Sequence, residues 1–266
     1  MNIKIIAIVA LAFFTSFSPV RAGNWQKAGT SLSFNIIGSL EKKASVIPWE
    51  IKGQNNTLRI DISTSTANTQ FMYRIDNPVL ILGIRNYDKE GFNGQTGIKP
   101  QIVFSNVSNF NNKKLISDIT LPITNLSGGS VGSLTIPLFT AAISSWSSFT
   151  AANGSRYSGG KKILSASANS AGFYGGLPTR IDSSENYDKI KAMISSLDES
   201  LLSNFSDQNL SINAPGDENF NNELTKYYSV YCAGIPSGSL LTLKINKPLT
   251  GKITWQASLP ITISYR

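Results

Sequence analysis

Residues 255–266 read Trp-Gln-Ala-Ser-Leu-Pro-Ile-Thr-Ile-Ser-Tyr-Arg, with apolar side chains at Trp255, Ala257, Leu259, Ile261, Ile263 and Tyr265 and mostly polar ones between them. A period of two puts the apolar set on one face of a β-strand. No further strand follows Arg266 to cover the outer edge. An apolar strand with an unpaired edge is an aggregation hazard unless a partner fills it. If the sandwich is one strand short, this ending leaves an open hydrophobic groove beside the strand that carries Leu259, Ile261, Ile263 and Tyr265.

The same alternation recurs along the chain. It runs through Leu58, Ile60 and Ile62; Phe71, Tyr73 and Ile75; Ile119, Leu121 and Ile123; Leu134, Ile136 and Leu138; and Leu241, Leu243 and Ile245. Val79–Ile84 and Ile102–Phe104 are continuous apolar runs that suit strands buried on both faces. Turns rich in Asn, Ser and Gly, such as Asn125–Ser130 and Pro236–Ser239, separate them. Many short strands with polar turns predict a mainly β chain folded as a sandwich.

One segment departs from that period. Between Asp182 and Phe205 the apolar residues Tyr187, Ile190, Ile194, Leu197, Leu201 and Phe205 are spaced by three or four, which predicts an amphipathic helix. Asp182 and Glu185 have the spacing of a capping box at its start. An immunoglobulin-type sandwich needs only about 100 residues. The excess is therefore placed in a helix-containing insertion at residues 140–207, with Gly159-Gly160-Lys161-Lys162 read as a turn.

The first 22 residues read as a secretory signal peptide. Lys4 precedes the apolar run Ile5–Phe14, and Val20-Arg21-Ala22 offers a cleavage site before Gly23. The run is too short to span a bilayer core of about 30 Å. Losing Lys4 and Arg21 with the signal takes 24 positive charges to 22 against 16 negative, and the net charge from +8 to +6. No Lys/Arg run is long enough to track a phosphate backbone, so nucleic acid is not an expected partner.

Composition excludes several chemistries. The chain has no histidine and one cysteine, Cys232. That removes His-based nucleophilic triads, imidazole metal sites, thiolate clusters and internal disulfides. Cys232 follows Tyr228 and Val230 at alternate positions and reads as a small buried hydrophobe. Ser127-Gly128-Gly129-Ser130-Val131-Gly132 lacks the Lys-Ser/Thr of a phosphate loop, and Gly154 with Gly159 fails the same way. The carboxylate pairs Asp88/Glu90 and Asp217/Glu218 lie in polar turn contexts. No catalytic residue, metal site or cofactor is expected.

Near the other end stands Leu32-Ser-Phe-Asn-Ile-Ile-Gly-Ser-Leu40, after the polar stretch 23–31. One reading is an ordinary first strand. The other is a detachable strand that pairs with another molecule's open edge, with Leu32, Phe34, Ile36 and Leu40 facing its groove. Gly38 weakens a strand but permits a close backbone approach. Burying those four side chains at roughly 1.5–3 kcal/mol each would contribute on the order of 6–12 kcal/mol.

Phe34–Leu40, Gly97-Ile-Lys-Pro-Gln-Ile-Val-Phe104, Val131-Gly-Ser-Leu134, Phe173-Tyr-Gly-Gly-Leu177, Ala233-Gly-Ile235 and Trp255–Tyr265 stand in an order that spans nearly the whole chain. In these pieces the sequence resembles the K-eighty-eight (Fae) family of fimbrial subunits. The resemblance implies an incomplete immunoglobulin-like β-sandwich, completed by donor-strand exchange in the chaperone–usher pathway. A periplasmic chaperone would lend the missing strand. An outer-membrane usher would then replace it with the N-terminal extension, residues 23–40, of a neighbouring fimbrial subunit. Residues 41–266 would form the pilin-type domain, and Leu259–Tyr265 the strand that the chaperone grips. The chain would travel through the periplasm to a fimbria on the cell surface and contribute to adhesion.

In the adhesive subunit of that family the helix-bearing region carries glycan binding. Here Ile143–Asn169 matches poorly and is rich in serine. Candidate glycan contacts are Trp146, Phe149 and Tyr157 for stacking and Arg156, Lys161 and Lys162 for polar pairing; Trp146 and Phe149 can equally pack the insertion onto the sandwich. A secreted monomeric lectin-like protein is the alternative reading, with a carbohydrate-active enzyme and an outer-membrane barrel behind it.

Overall fold

The computed structural model describes residues 46–53, 58, 60, 62, 68–108, 113–149 and 156–266. The signal at 1–22 and the extension at 23–40 lie outside the described residues. Twelve strands are assigned among those described: β1 (Trp49–Gly53), β2 (Gln70–Arg74), β3 (Val79–Asn86), β4 (Phe92–Asn93), β5 (Pro100–Phe104), β6 (Ile116–Thr124), β7 (Ser130–Phe149), β8 (Arg156–Ile163), β9 (Thr225–Ile235), β10 (Leu240–Ile245), β11 (Gln256–Ala257) and β12 (Ile261–Tyr265). One helix, α1 (Tyr187–Leu197), runs on into a 3-10 turn at Glu199–Leu202. The chain is mainly β, as its alternation predicts.

All named strand pairings are antiparallel, and β7 organises them. Along its first half β7 lies between β6 and β10, so that Thr135 pairs with Thr120 and Thr242. Along its second half it lies between β9 and β8, where Ser144 pairs with Ser229 and Lys162. Phe139 marks the handover, facing Ile116 on one side and Gly234 on the other. Beyond β9 the sheet continues through β3 to β1, and beyond β10 to β2. β5 and β12 form a separate two-stranded sheet.

Two cores follow from this arrangement. Ile119, Leu121 and Ile123 of β6, Leu134, Ile136 and Leu138 of β7, and Leu241, Leu243 and Ile245 of β10 enter the main core, as their period-two spacing requires. β9 is buried on both faces: Tyr231, Ala233 and Ile235 face that core, while Val230 and Cys232 face α1. Ile190, Ile194 and Leu197 of α1 complete the second core against Leu80, Ala141 and Ile143. At the end where the chain enters the sandwich, Trp49 lies 4.8 Å from Phe92 and 5.3 Å from Phe220, centroid to centroid. Its indole N–H donates to the Ile98 carbonyl at 2.6 Å.

Four local expectations need correction. Residues 140–149 are no insertion: they continue β7 through the sheet. Gly159–Lys162 is no turn but part of β8. There a Cβ on Gly160 would come within 2.8 Å of the Trp146 ring and 2.5 Å of Asn213, so glycine is needed for close packing. The cap of α1 is Asn186, whose side chain accepts from the Lys189 N–H at 2.9 Å; the Asp182 carboxylate instead accepts from the Ser184 N–H. Ile102–Phe104 is not buried on both faces, because Val103 is 55% exposed.

Candidate functional site

The C-terminal run forms one wall of the site. Pro260 cannot donate a ladder hydrogen bond, and the run changes partner there. Gln256 and Ala257 pair with Thr124 and Ile123 of β6, whereas Ile261–Tyr265 pairs with Phe104–Pro100 of β5. The second pairing is closed at both ends. The Ser105 N–H donates to the Pro260 carbonyl at 2.9 Å, and Lys99 and Arg266 exchange N–H···O=C bonds at 3.0 and 3.1 Å.

β5 is itself braced on its other side by Phe173–Leu177. The Phe173 N–H donates to the Pro100 carbonyl at 2.6 Å, and the Ile102 N–H to the Tyr174 carbonyl at 2.9 Å. Gly175 adopts φ +83° with its α-carbon packed against the Ile102 carbonyl, so any side chain there would collide with β5. The Tyr231 hydroxyl donates to the Gly176 carbonyl at 3.1 Å and ties this brace to β9. β12 thus hangs from a strand that is rigidly held.

The side chains of β12 are placed as the sequence predicts and are incompletely covered. Leu259, Ile261, Ile263 and Tyr265 all pack against the main core, yet each is only half-buried. The inward residues of β6 and β10 are fully buried. Among the described residues β12 pairs with β5 alone. Burial pushes the Tyr265 hydroxyl pKa up. The result is an apolar strip beside a strand edge that has no partner strand among the described residues. The proposed donor residues Leu32, Phe34, Ile36, Gly38 and Leu40 lie outside the described residues.

The candidate glycan residues meet other partners. Trp146 is half-buried against the main core with the Lys162 ammonium 5.0 Å from its ring centroid. Lys162 also reaches Glu218 at 3.3 Å and donates to the Asp217 carbonyl at 2.6 Å. Lys161 lies 3.8 Å from Asp207 and over the Tyr187 ring. The lysine side chains are 16% and 14% exposed, and both ammonium groups are engaged within the chain. Phe149, Arg156 and Tyr157 belong to β7 and β8 by backbone, and their side chains lie outside the described residues.

Sequence reading missed the polar seam that holds the helical layer. The Asp207 carboxylate accepts from the Tyr187 hydroxyl at 2.7 Å and from Lys191. Burial by itself would raise the Asp207 pKa, but these hydrogen bonds and the charges of Lys191 and Lys161 outweigh it and hold it below the usual carboxylate value. The serines of β7 are bound in turn: Ser145 donates to the Ser206 carbonyl at 2.5 Å and Ser147 to Gln208 at 2.6 Å. Asp217 accepts from Ser165 at 2.6 Å and from Ser167, which ties the 165–167 segment to the 217 turn. The Cys232 thiol is fully buried and burial raises its pKa. Among the described residues no cluster of metal-ligating side chains occurs, and no helix is long and apolar enough to cross a membrane.

The fold and its half-covered wall define a mainly antiparallel β-sandwich with one helical layer. The sequence model of the family described as fimbrial, major and minor subunit matches residues 1–266. The chain belongs to that family. It is similar to the K-eighty-eight fimbrial protein AD of Escherichia coli, with 26% identity over 291 residues, covering 97% of this chain and 98% of that protein.

Proposed function

We propose that the chain is a subunit of a cell-surface fimbria, joined to its neighbours by donor-strand exchange. The observation that carries this reading is the half-buried face of Leu259, Ile261, Ile263 and Tyr265 beside a strand edge with no described partner. Strand addition at that edge satisfies the free backbone groups and covers the apolar strip in one event. The segment best suited to it is Leu32–Leu40 of a neighbouring copy, whose alternation matches the groove. Export to the periplasm by the signal at 1–22, transient filling of the groove by a chaperone, and hand-over at an outer-membrane usher complete the scheme. Adhesion to host glycans is a property of the assembled fimbria in this proposal, and no residue of this chain is assigned to it.

The test is a chain lacking residues 23–40, purified with and without a synthetic peptide of residues 30–41. The expected outcome is a clear rise of the melting temperature with the peptide and no polymer without it. No rise would mean a self-complete sandwich and favour the monomeric lectin-like alternative.

A further inference from the structure

The proposed donor segment ends at Leu40, and the described domain begins at Val46. Six residue steps reach at most about 20 Å when fully extended. Whatever body holds Leu40 in its groove must therefore stand within that distance of Val46. The surface around Val46 is unusual for a surface exposed to water. Val46 and Tyr87 are 74% and 72% exposed, and with Ile47 and Phe92 they line a cleft of about 610 Å³. The cleft is fixed in place. The Tyr87 N–H donates to the Pro48 carbonyl at 2.8 Å, and the Gln95 amide to the Val46 carbonyl at 2.7 Å. Asp88 and Glu223 give its rim a negative charge, while nearby Glu90 faces Lys226 at 3.9 Å.

The polarity of the chain says which part of a second copy comes to this cleft. Trp49, three residues past Val46, bonds to Ile98, and the next residue, Lys99, is paired with Arg266. Trp49, just past Val46, thus lies at the end of the sandwich where β12 finishes. In a head-to-tail row, the neighbour's groove must open towards it at the other end, where β12 begins. Residues 247–254 lead towards that end: Asn246 bonds to Val131, Gln256 pairs with Thr124, and β12 begins four residues after Ala257; Lys247 and Lys252 are exposed and Ile253 is 40% exposed. The acidic, apolar cleft of one copy meets the basic, apolar 247–254 loop of the next, the complementarity that a heterologous, repeating contact needs.

We infer that the Val46–Tyr87 cleft is the docking surface for the 247–254 loop of a second copy of this chain, a body-to-body contact made in addition to strand exchange. The inference rests on the donor-strand reading.

Full-length chains assembled into filaments by their own export machinery provide the test. A Val46→Cys, Lys252→Cys double variant is treated with a short bis-maleimide; native Cys232 is buried and does not interfere. The expected result is a ladder of covalent multimers, absent from either single variant. In parallel, Asp88→Lys with Glu223→Lys should shorten the dissociation half-time of filaments at low salt by about tenfold. Adding Lys247→Glu with Lys252→Glu should restore it. Normal filaments with no ladder and an unchanged half-time overturn the docking surface and leave strand exchange standing. A parent chain that forms no filaments, together with a silent peptide in the truncation experiment, removes strand exchange and the docking surface together.

Discussion

Asn86 and Asn204 hold each other across 118 positions of sequence. The Asn86 side-chain amide donates to the Asn204 carbonyl at 2.9 Å, and the Asn204 amide donates back to the Asn86 carbonyl at 3.0 Å. Both residues are buried. Asn86 Oδ1 also accepts from the Ser229 N–H at 3.1 Å, and Asn204 donates to the Tyr87 carbonyl at 2.8 Å. The clasp fastens the end of the helical layer to β3 and β9. Truncating either side chain leaves buried backbone carbonyls unpaired, which costs about 1–3 kcal/mol for each orphaned group. Asn204→Ala should therefore lower stability by about 2–3 kcal/mol in urea titrations of the peptide-filled domain. A change under 0.5 kcal/mol would show that water replaces the clasp.

The groove makes a graded prediction. Ile263→Asp places a charge on the half-covered strip and should abolish peptide uptake, while Thr262→Asp, on the exposed face of the same strand, should not. On the donor side, Phe34→Ala should weaken uptake by about 2–4 kcal/mol and Ser33→Ala by less than 0.5. Calorimetric titration of the truncated domain with variant peptides measures both. Equal losses at Phe34 and Ser33 would exclude the assigned facing.

Acid should loosen the helical layer. Asp207 and Asp217 have folded pKa values held below the ordinary carboxylate value of about 3.9. In each case burial opposes ionisation and is outweighed, by Lys191 and Tyr187 at Asp207 and by Ser165 and Ser167 at Asp217. A depressed folded value contributes stability that is present above the unfolded pKa and disappears as pH falls through the folded one. Melting temperature should accordingly hold above pH 5 and drop below about pH 4. Asp207→Asn should start lower at pH 7 and lose less on acidification. A parallel profile for the variant and the parent would rule out Asp207 as a contributor.

Cys232 should be silent towards thiol reagents in the native chain. Its sulfur is buried between β9 and α1 and burial raises its pKa, so little thiolate exists and none is accessible. Labelling should appear only when the domain opens, at a rate that follows unfolding in denaturant. Rapid labelling without denaturant would mean that α1 lifts off the sheet on its own.

Much of this was legible in the residues, and the gaps have physical causes. The strands β6, β10 and β12 alternate cleanly because one of their faces is wet. α1 was visible through Tyr187, Ile190, Ile194 and Leu197, the same four residues that are buried. The second half of β7 was not visible, because Ser144, Ser145 and Ser147 occupy buried positions. Their hydroxyls are bonded to strand carbonyls and to the 206–208 segment, so polar residues sit where the pattern expects apolar ones. Gly159-Gly160 read as a turn because glycine's other use, close packing under Trp146 and Asn213, leaves no local mark. The alternation of Leu259–Tyr265 was readable, whereas Asp207 gave no signal, since its partners Tyr187, Lys191 and Lys161 converge only on folding.

The 20 residues of β7 pass without a break from the sandwich to the sheet that carries α1. A single continuous strand shared by both cores leaves no seam at which the helical layer could open as a separate unit. Amide protons of Ala141 and Ile143, beneath α1, should exchange in the same cooperative opening as those of Leu134 and Ile136, deep in the sandwich. Under the proposed strand exchange, stabilisation gained at β12 would then be felt along the whole length of β7. Opening the helical layer would then cost as much as opening the sandwich itself.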